Sequence, residues 1–593
     1  MEKRLAELTS YIIQSLYEQD FPADKVTIQK TRPDVTGDFT IVVFPFLRFS
    51  RKGAEETARE IGQKLQESED KIASFEVIKG FLNLELKTSY WLDFLKQESE
   101  NEYFGISQEQ QKQNPVVIEF SSPNTNKPLH LGHIRNNLLG DAVSRILEAN
   151  GQQVEKVNLV NDRGIHICKS MLAWQKWGNG ETPETADIKG DHLIGKYYVL
   201  FDQEHKKEVE SLLSEGYEPE KAKREAPLLK EAQQMLAQWE QGDKEVMELW
   251  NKLNSWAYSG FDVTYKRMGI AFDKIYHESE TYLKGKDIVI EGLEKDVLFK
   301  KTDGSVWADL SDEGLDEKLL LRADGTSVYM TQDLGTAEMR HETYKPQEMI
   351  YVVGNEQIYH FDVLKIILKK LGYEWYDKIK HLSYGMVELP EGKMKSREGK
   401  VVDADMLMDE MYEAAKETTT ELGKIEGLSQ QQAEQLFETI GQGALKYFIL
   451  KVDPKKTMIF NPAESIDLNG NTGPFIQYTH ARIRSLIRKA SDKHVPREFS
   501  GELSLDDREK NLIKRLYEFP KTIANAAESY SPALLANYIY ELVKQYNQFY
   551  QDIPVLRAES PDAIAFRVRL SAFTADVVKQ GMQLLGVQVP DRM

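Results

Sequence analysis

At 593 residues the chain is too long for one hydrophobic core, and a hydrophobic content of 41% is ample for several. Its one cysteine, Cys168, excludes a disulfide scaffold and a multi-cysteine zinc site, and suits a reducing compartment. The net charge of -19 argues against a broadly basic nucleic-acid-binding surface, though not against local basic stripes. Residues 5–16 place Leu5, Leu8, Ile12 and Leu16 at helical spacing, directly after Met1-Glu2-Lys3-Arg4. This start has no secretory apolar region, and the longest apolar runs, such as 41–47, are too short to span a bilayer. A cytoplasmic location without membrane contact is therefore expected.

Residues 26–29 and 39–46 read as strands about the turn Thr36-Gly37-Asp38. Residues 54–65 read as a helix, 75–86 as two short strands broken at Gly80, and those from Trp91 as another helix. This is an α+β unit over 1–107, closed by a glutamine-rich linker at 108–114.

Residues 116–120 are a short apolar run, as in a strand buried within a parallel sheet. Ser121-Ser122-Pro123-Asn124 and Lys127-Pro128-Leu129 form a polar, proline-punctuated loop. A helical pattern then runs from Leu131 to Asn150-Gly151. Strand, loop and helix N-terminus form a phosphate site, because unpaired backbone N–H groups and the helix dipole face an anion there. His130 and His133 flank Gly132, which lets a base or a phosphate approach the backbone, and Lys127 adds a cation. Metal binding by the two imidazoles, or plain capping of the helix, are the alternatives.

Residues 154–160 form the next apolar strand and end in Asn161-Asp162-Arg163-Gly164-Ile165-His166. Polar groups at the carboxyl end of a parallel strand are where open α/β sheets hold ligands. The highly charged stretch 206–250 reads as long solvated helices with sparse apolar anchors (Leu212, Leu213, Leu228, Leu229, Met235, Leu236), without chemistry. Residues 272–279 contain a further strand. Ala323-Asp324-Gly325-Thr326 predicts a hairpin between 319–322 and 327–331. Residues 349–353 and a helix from His360 add another βα unit, as a doubly wound sheet requires. Gly392-Lys393-Met394-Lys395-Ser396-Arg397-Glu398-Gly399-Lys400 is a basic loop bounded by glycine, suited to a polyanion. From Leu407 the pattern is helical. The helix opening at Gly470-Asn471-Thr472-Gly473 interleaves Tyr478 and His480 with Arg482, Arg484, Arg488 and Lys489, a pattern that fits RNA bases and phosphates or a solvated charged face.

His130-Leu131-Gly132-His133 resembles the first signature motif of class I aminoacyl-tRNA synthetases. Its surroundings resemble the arginyl-tRNA synthetase family in particular, and the likeness extends along the whole chain. It implies a multidomain α/β protein in three parts. These are an N-terminal α+β domain (1–107) touching tRNA, a Rossmann-type parallel-sheet catalytic domain (115–405) with a helical insertion at about 190–260, and a C-terminal all-α anticodon-binding domain (406–593).

For the site, the resemblance implies His130, His133, Lys127, Lys393 and Lys395 as catalytic groups, with Gly132, Met394 and Ser396 also at the ATP. It implies Asn124, Glu278, Tyr329, Asp333 and Gln357 around arginine, with Asp162 and His166 of second rank, and Tyr478, His480, Arg482 and Arg484 at the tRNA. The carboxylates suit the chemistry, because a guanidinium needs acceptors at fixed geometry, and such a site rejects a ligand that leaves them unpaired. The basic loop departs from the family's pattern, with Ser396 where a second lysine is usual. Lys127 is the expected compensating cation.

The implied activity is arginine–tRNA ligation with ATP as substrate, Mg²⁺ accompanying it, no protein metal site, and tRNA(Arg) and L-arginine as partners. A monomer is the working expectation. The rival readings are another nucleotidylyl transferase on this type of fold, against which the helical C-terminus argues, and a non-catalytic tRNA-binding relative, against which the intact histidines and lysines argue.

Overall fold

A computed structural model describes the chain apart from residues 33, 110–113, 391–401, 424–426, 497, 501–502 and 559. The chain packs as two units. The first joins Met1–Phe104 to Leu486–Glu518 and Lys544–Thr574. Its sheet comprises β1 (Ile28–Lys30), β2 (Phe39–Val42), β3 (Ile72–Ile78) and β4 (Phe81–Leu86), antiparallel throughout in the order β1-β2-β4-β3. Lys79 and Gly80, both at positive φ, make the tight β3–β4 turn. The strand expected over 39–46 stops at Val42. Pro45 cannot donate to a ladder, and the chain turns through Phe44–Phe46 into the short helix Leu47–Ser50. Lys510 meets Glu85 at 3.0 Å and Lys514 pairs with the buried Asp38, so C-terminal residues belong to this unit's fabric. The C-terminal helices thus contribute to both units.

The second unit contains Gly105–Ser485, Phe519–Val543 and Ala575–Met593. Its strands include β5 (Val116–Glu119), β6 (Val154–Val160), β7 (Lys274–His277), β8 (Leu298–Lys300), β9 (Val306–Ala308), β10 (Lys318–Leu321), β11 (Glu348–Gly354) and β12 (Ile379–Tyr384). Five of them form a wholly parallel sheet in the order β12-β11-β5-β6-β7. This is the doubly wound arrangement, with the direction of winding reversing between β5 and β11. Val116, Val117 and Ile118 are buried, as their unbroken apolar run required. The helix Leu131–Ala149 follows β5. Its Gly140 lies against the Phe120 ring so closely that a Cβ there would meet Cγ at 2.2 Å.

The hairpin expected about 323–326 forms only in part. Asp324 and Gly325 turn the chain, and Ser327 makes a single bridge to Leu321. From Tyr329 the chain is a helix (Tyr329–Tyr344), because Met330, Leu334 and Ala337 recur at helical spacing and bury one face. β10 pairs with β9 instead. The charged insertion, between β6 and β7, is a helical body with its own core rather than loosely solvated helices. Tyr197, Phe201, Leu228, Met235, Trp239 and Leu253 are buried together there, whereas Leu213 is exposed. Among the described residues no helix is long and apolar enough to cross a membrane.

Candidate active site

The carboxyl ends of the parallel strands carry the candidate groups. Asn124 follows β5, Asp162 follows β6, Glu278 directly follows β7, and Gln357 follows β11. Backbone strain marks the first of these turns, where Ser121 and Ser122 are both left-handed (φ 81° and 49°). Side chains hold them there. Ser121 N–H donates to Asn136 Oδ1, Ser121 Oγ and Tyr265 Oη lie 2.6 Å apart, and Ser122 N–H donates to Asn158 Oδ1 at 3.0 Å. Ser122 Oγ donates to Glu119 Oε1 at 3.0 Å, and Glu119 is paired in turn with the buried Arg340.

The helix that follows is capped by its own signature histidines. Gly132 N–H donates to His130 Nδ1 at 3.1 Å, and His130 N–H donates to His133 Nδ1 at 3.2 Å, with the rings 3.9 Å apart. Capping and chemistry therefore coexist. Burial, and then the Lys127 cation, push the His130 pKa down to about 4. Burial, then the neighbouring His130 and Lys127, push His133 well below its ordinary value. Both rings are neutral at physiological pH, and an Nδ1 that accepts leaves the proton on Nε2. Each imidazole is thus a fixed donor at Nε2. Burial also lowers the pKa of Lys127, which lines a cleft of about 730 Å³ with Asn124, His130, His166, His192 and Asp403.

The basic loop's Lys393, Met394, Lys395 and Ser396 lie outside the described residues. The chain immediately after it is stitched to the histidine turn. Leu131 N–H donates to the Val402 carbonyl at 3.0 Å, Ala404 N–H donates to the Leu129 carbonyl at 2.9 Å, and His130 bridges Asp403. Asp403 accepts from His192 Nε2 at 2.8 Å. Asp191, His192 and Asp405 bring three ligand atoms within 4.8 Å of one another. Lys189 Nζ stands 3.3 Å from Asp191 and pairs with Asp405, so an ammonium already fills the cation position and the group does not fit Mg²⁺.

The acidic slot is built around Glu278, only 7% exposed. Gln332 Nε2 donates to its Oε1 at 2.6 Å. Burial pushes its carboxyl up to about 7; Arg163 opposes the rise, while Asp162 and Asp333 add to it. Asp333 pairs with His360 Nε2 at 2.5 Å. A second cation beside Glu278 would stabilise its ionised form, and a permanently charged, forked guanidinium suits that role. Tyr329 is 75% exposed at the start of its helix, and Gln357 is exposed in a 3₁₀ turn. His166 lines the cleft with its Nδ1 3.0 Å from Tyr198 Oη.

Residues 97–461 match the model of the catalytic domain of class I tRNA synthetases, arginine type, and residues 476–593 match the DALR anticodon binding domain. An arginine–tRNA ligase of Bacteroides fragilis is 58% identical over 583 residues, covering 98% of each chain. The chain belongs to the arginyl-tRNA synthetase family. The arginine–tRNA ligase of Porphyromonas gingivalis is 54% identical, covering 100% of this chain and 99% of its own. The fold matches that of the Thermus thermophilus arginyl-tRNA synthetase with a TM-score of 0.78 at 23% identity, covering 100% of both chains. The Plasmodium falciparum arginyl-tRNA synthetase gives 0.75 at 20% identity, covering 100% of this chain and 99% of that one.

Within this family framework the basic helix Gly473–Asp492 divides its candidates between surface and interior. The Arg482 guanidinium lies 4.9 Å from the Tyr478 ring centre, at a half-buried position. Arg484 is half-buried and paired with Asp576 at 2.8 Å. His480 is fully buried, its Nδ1 2.9 Å from the Pro590 carbonyl, and burial pushes its pKa down to about 4. It therefore fastens the C-terminal tail and faces the interior of the second unit. Asn136, Asn158, Tyr265, Arg340, Gln332 and His360 support the site but escaped the sequence reading. Glu119, the one charge in the apolar run 116–120, was the available signal for the support beneath Ser121 and Ser122.

Proposed function

We infer that the chain is an arginine–tRNA ligase. It activates L-arginine with ATP and transfers the arginyl group to the terminal adenosine of tRNA(Arg). The observation that supports this reading is that two neutral imidazole donors, after β5, and a buried carboxylate, after β7, both stand at the carboxyl ends of strands of one parallel sheet. The arginine carboxylate attacks the α-phosphorus and pyrophosphate leaves; the terminal 2′-hydroxyl then attacks the arginyl-adenylate carbonyl, losing its proton as AMP is expelled. Positioning and electrostatic stabilisation account for the rate. His130 and His133 donate from Nε2 to phosphate oxygens as charge builds on them, and Lys127 neutralises the polyanion together with Lys393 and Lys395. Gly132, Met394 and Ser396 complete the ATP contacts. Mg²⁺ would accompany ATP and neutralise part of the triphosphate charge.

Asn124 addresses the α-amino end of arginine and Glu278 and Asp333 its guanidinium, with Tyr329 and Gln357 shaping the pocket. Tyr478, Arg482 and Arg484 belong to the tRNA-facing helix, within 406–593 as the anticodon-binding part, and 1–107 touches the tRNA elsewhere. The enzyme works in the cytoplasm as a monomer. Aminoacylation of total tRNA with each amino acid in turn tests the reading. Charging by arginine alone is the expected outcome, and charging by another amino acid, or arginine-independent pyrophosphate exchange, would overturn it.

A further inference from the structure

Asp162 was placed near the ligand by its position after β6, yet its side chain is fully buried and engaged on several sides. Its carboxylate accepts from Ser279 N–H at 2.9 Å, Ser279 Oγ at 2.7 Å and Tyr258 Oη at 2.8 Å, and His277 Nδ1 lies 3.5 Å away. Residues 277 and 279 are the neighbours of Glu278 in sequence, so one carboxylate holds the backbone and hydroxyl of Ser279 on one side of the slot's central acid and stands beside the His277 ring on the other. Asp162 is itself fixed from the helical insertion. Its carbonyl accepts from Trp250 Nε1 at 2.7 Å and Asn254 Nδ2 at 3.4 Å, and both donors, like Tyr258, lie on the helix Lys244–Met268. Arg163 next to it lies 3.9 Å from the Tyr282 ring centre and pairs with Glu240 of the insertion at 2.9 Å.

We propose that Asp162 is a positioning residue for arginine recognition, gripping Ser279 and facing the His277 ring so that Glu278 is presented in the one direction that meets a guanidinium. The insertion braces this grip, which gives a purpose to a segment whose sequence suggested none. The inference rests on Glu278 being a guanidinium partner. A carboxylate aimed by its neighbours accepts paired hydrogen bonds, whereas one free to rotate loses that geometry. The groups facing Glu278 are Asp162 and Arg163 from the turn after β6 and Gln332 and Asp333 from the helix Tyr329–Tyr344.

The test compares D162N, which keeps the side chain's shape, with S279A and E278Q in the full-length enzyme. D162N should raise the arginine KM at least tenfold, leave the ATP KM and the Tm near wild type, and change binding of citrulline, which lacks the charge, by less than threefold. S279A should raise the arginine KM by a smaller factor. The pH at which arginine binding weakens should move down in D162N, since one negative charge facing Glu278 is gone. An unchanged arginine KM in D162N beside a raised one in E278Q would overturn the positioning role alone. So would a D162N enzyme whose Tm falls while both substrate KM values rise together. An unchanged arginine KM in E278Q would instead remove Glu278 from the slot.

Discussion

Lys127 illustrates how a single side chain is conditioned by its setting. It lines the same cleft as His130, burial lowers its ammonium pKa, and its charge helps to keep both histidines neutral. A polyphosphate arriving beside it would return the charge balance in its favour. The sequence singled it out for another reason, the serine at 396 where a lysine is usual, and the two arguments converge. Lys127→Ala should slow arginyl-adenylate formation by about tenfold or more, the scale of one lost charge-assisted contact. Single-turnover adenylate formation measures this, with the arginine KM as control. A rate equal to wild type would take Lys127 out of the chemistry.

At the scale of elements, the site depends on how the helix Leu131–Ala149 seats on β5. Its first turn carries His133, and Asn136 supports Ser121 while donating to the Val352 carbonyl of β11 at 2.7 Å, so one helix spans the point where the winding reverses. Gly140 lets this helix approach, because the buried Phe120 ring fills the space a Cβ would need. Gly140→Ala gains about 1 kcal/mol of helix propensity but overpacks the contact by about 1–3 kcal/mol. The substitution should lower the Tm and raise the ATP KM, as the histidine turn is displaced from the strand end. A higher Tm with an unchanged ATP KM would show that the seat has room to spare.

Across the second unit, the C-terminal tail closes the fold on itself. Lys446 Nζ donates to the Gly586 carbonyl at 2.9 Å, Gln477 Nε2 to the Gln588 carbonyl at 2.8 Å, and His480 meets the Pro590 carbonyl. His480 stays neutral there, its pKa held at about 4 against an ordinary 6.5. Above pH 6.5 it costs nothing. As the pH falls from 6.5 towards 4 the unfolded chain takes up a proton that the native ring refuses, and stability drops by about 3 kcal/mol from this group alone. Urea midpoints at pH 7.5 and pH 5 should differ by less in His480→Gln than in the wild type. An equal difference in the two proteins would mean that His480 does not carry the acid sensitivity.

Local structure was legible in the sequence because it is written locally. The run 116–120, the cap at His130 to His133 and the stop at Asn150-Gly151 specify a strand, a capped turn and a helix through neighbours a few residues apart, and β11 with its helix repeats the pattern. The arrest of β2 before Pro45 and the helix beginning at Tyr329 were written locally and misread, whereas the burial of His480 was not legible, since it depends on what the segment packs against. Only the tertiary structure decided that C-terminal helices are divided between two units, and that a charged insertion with a core of its own braces Asp162. The physical reason is the same in every case. Hydrogen-bonded turns and periodic apolar faces are fixed within a few residues, whereas the burial of His480 and of Asp162 is settled by partners brought from about a hundred residues away.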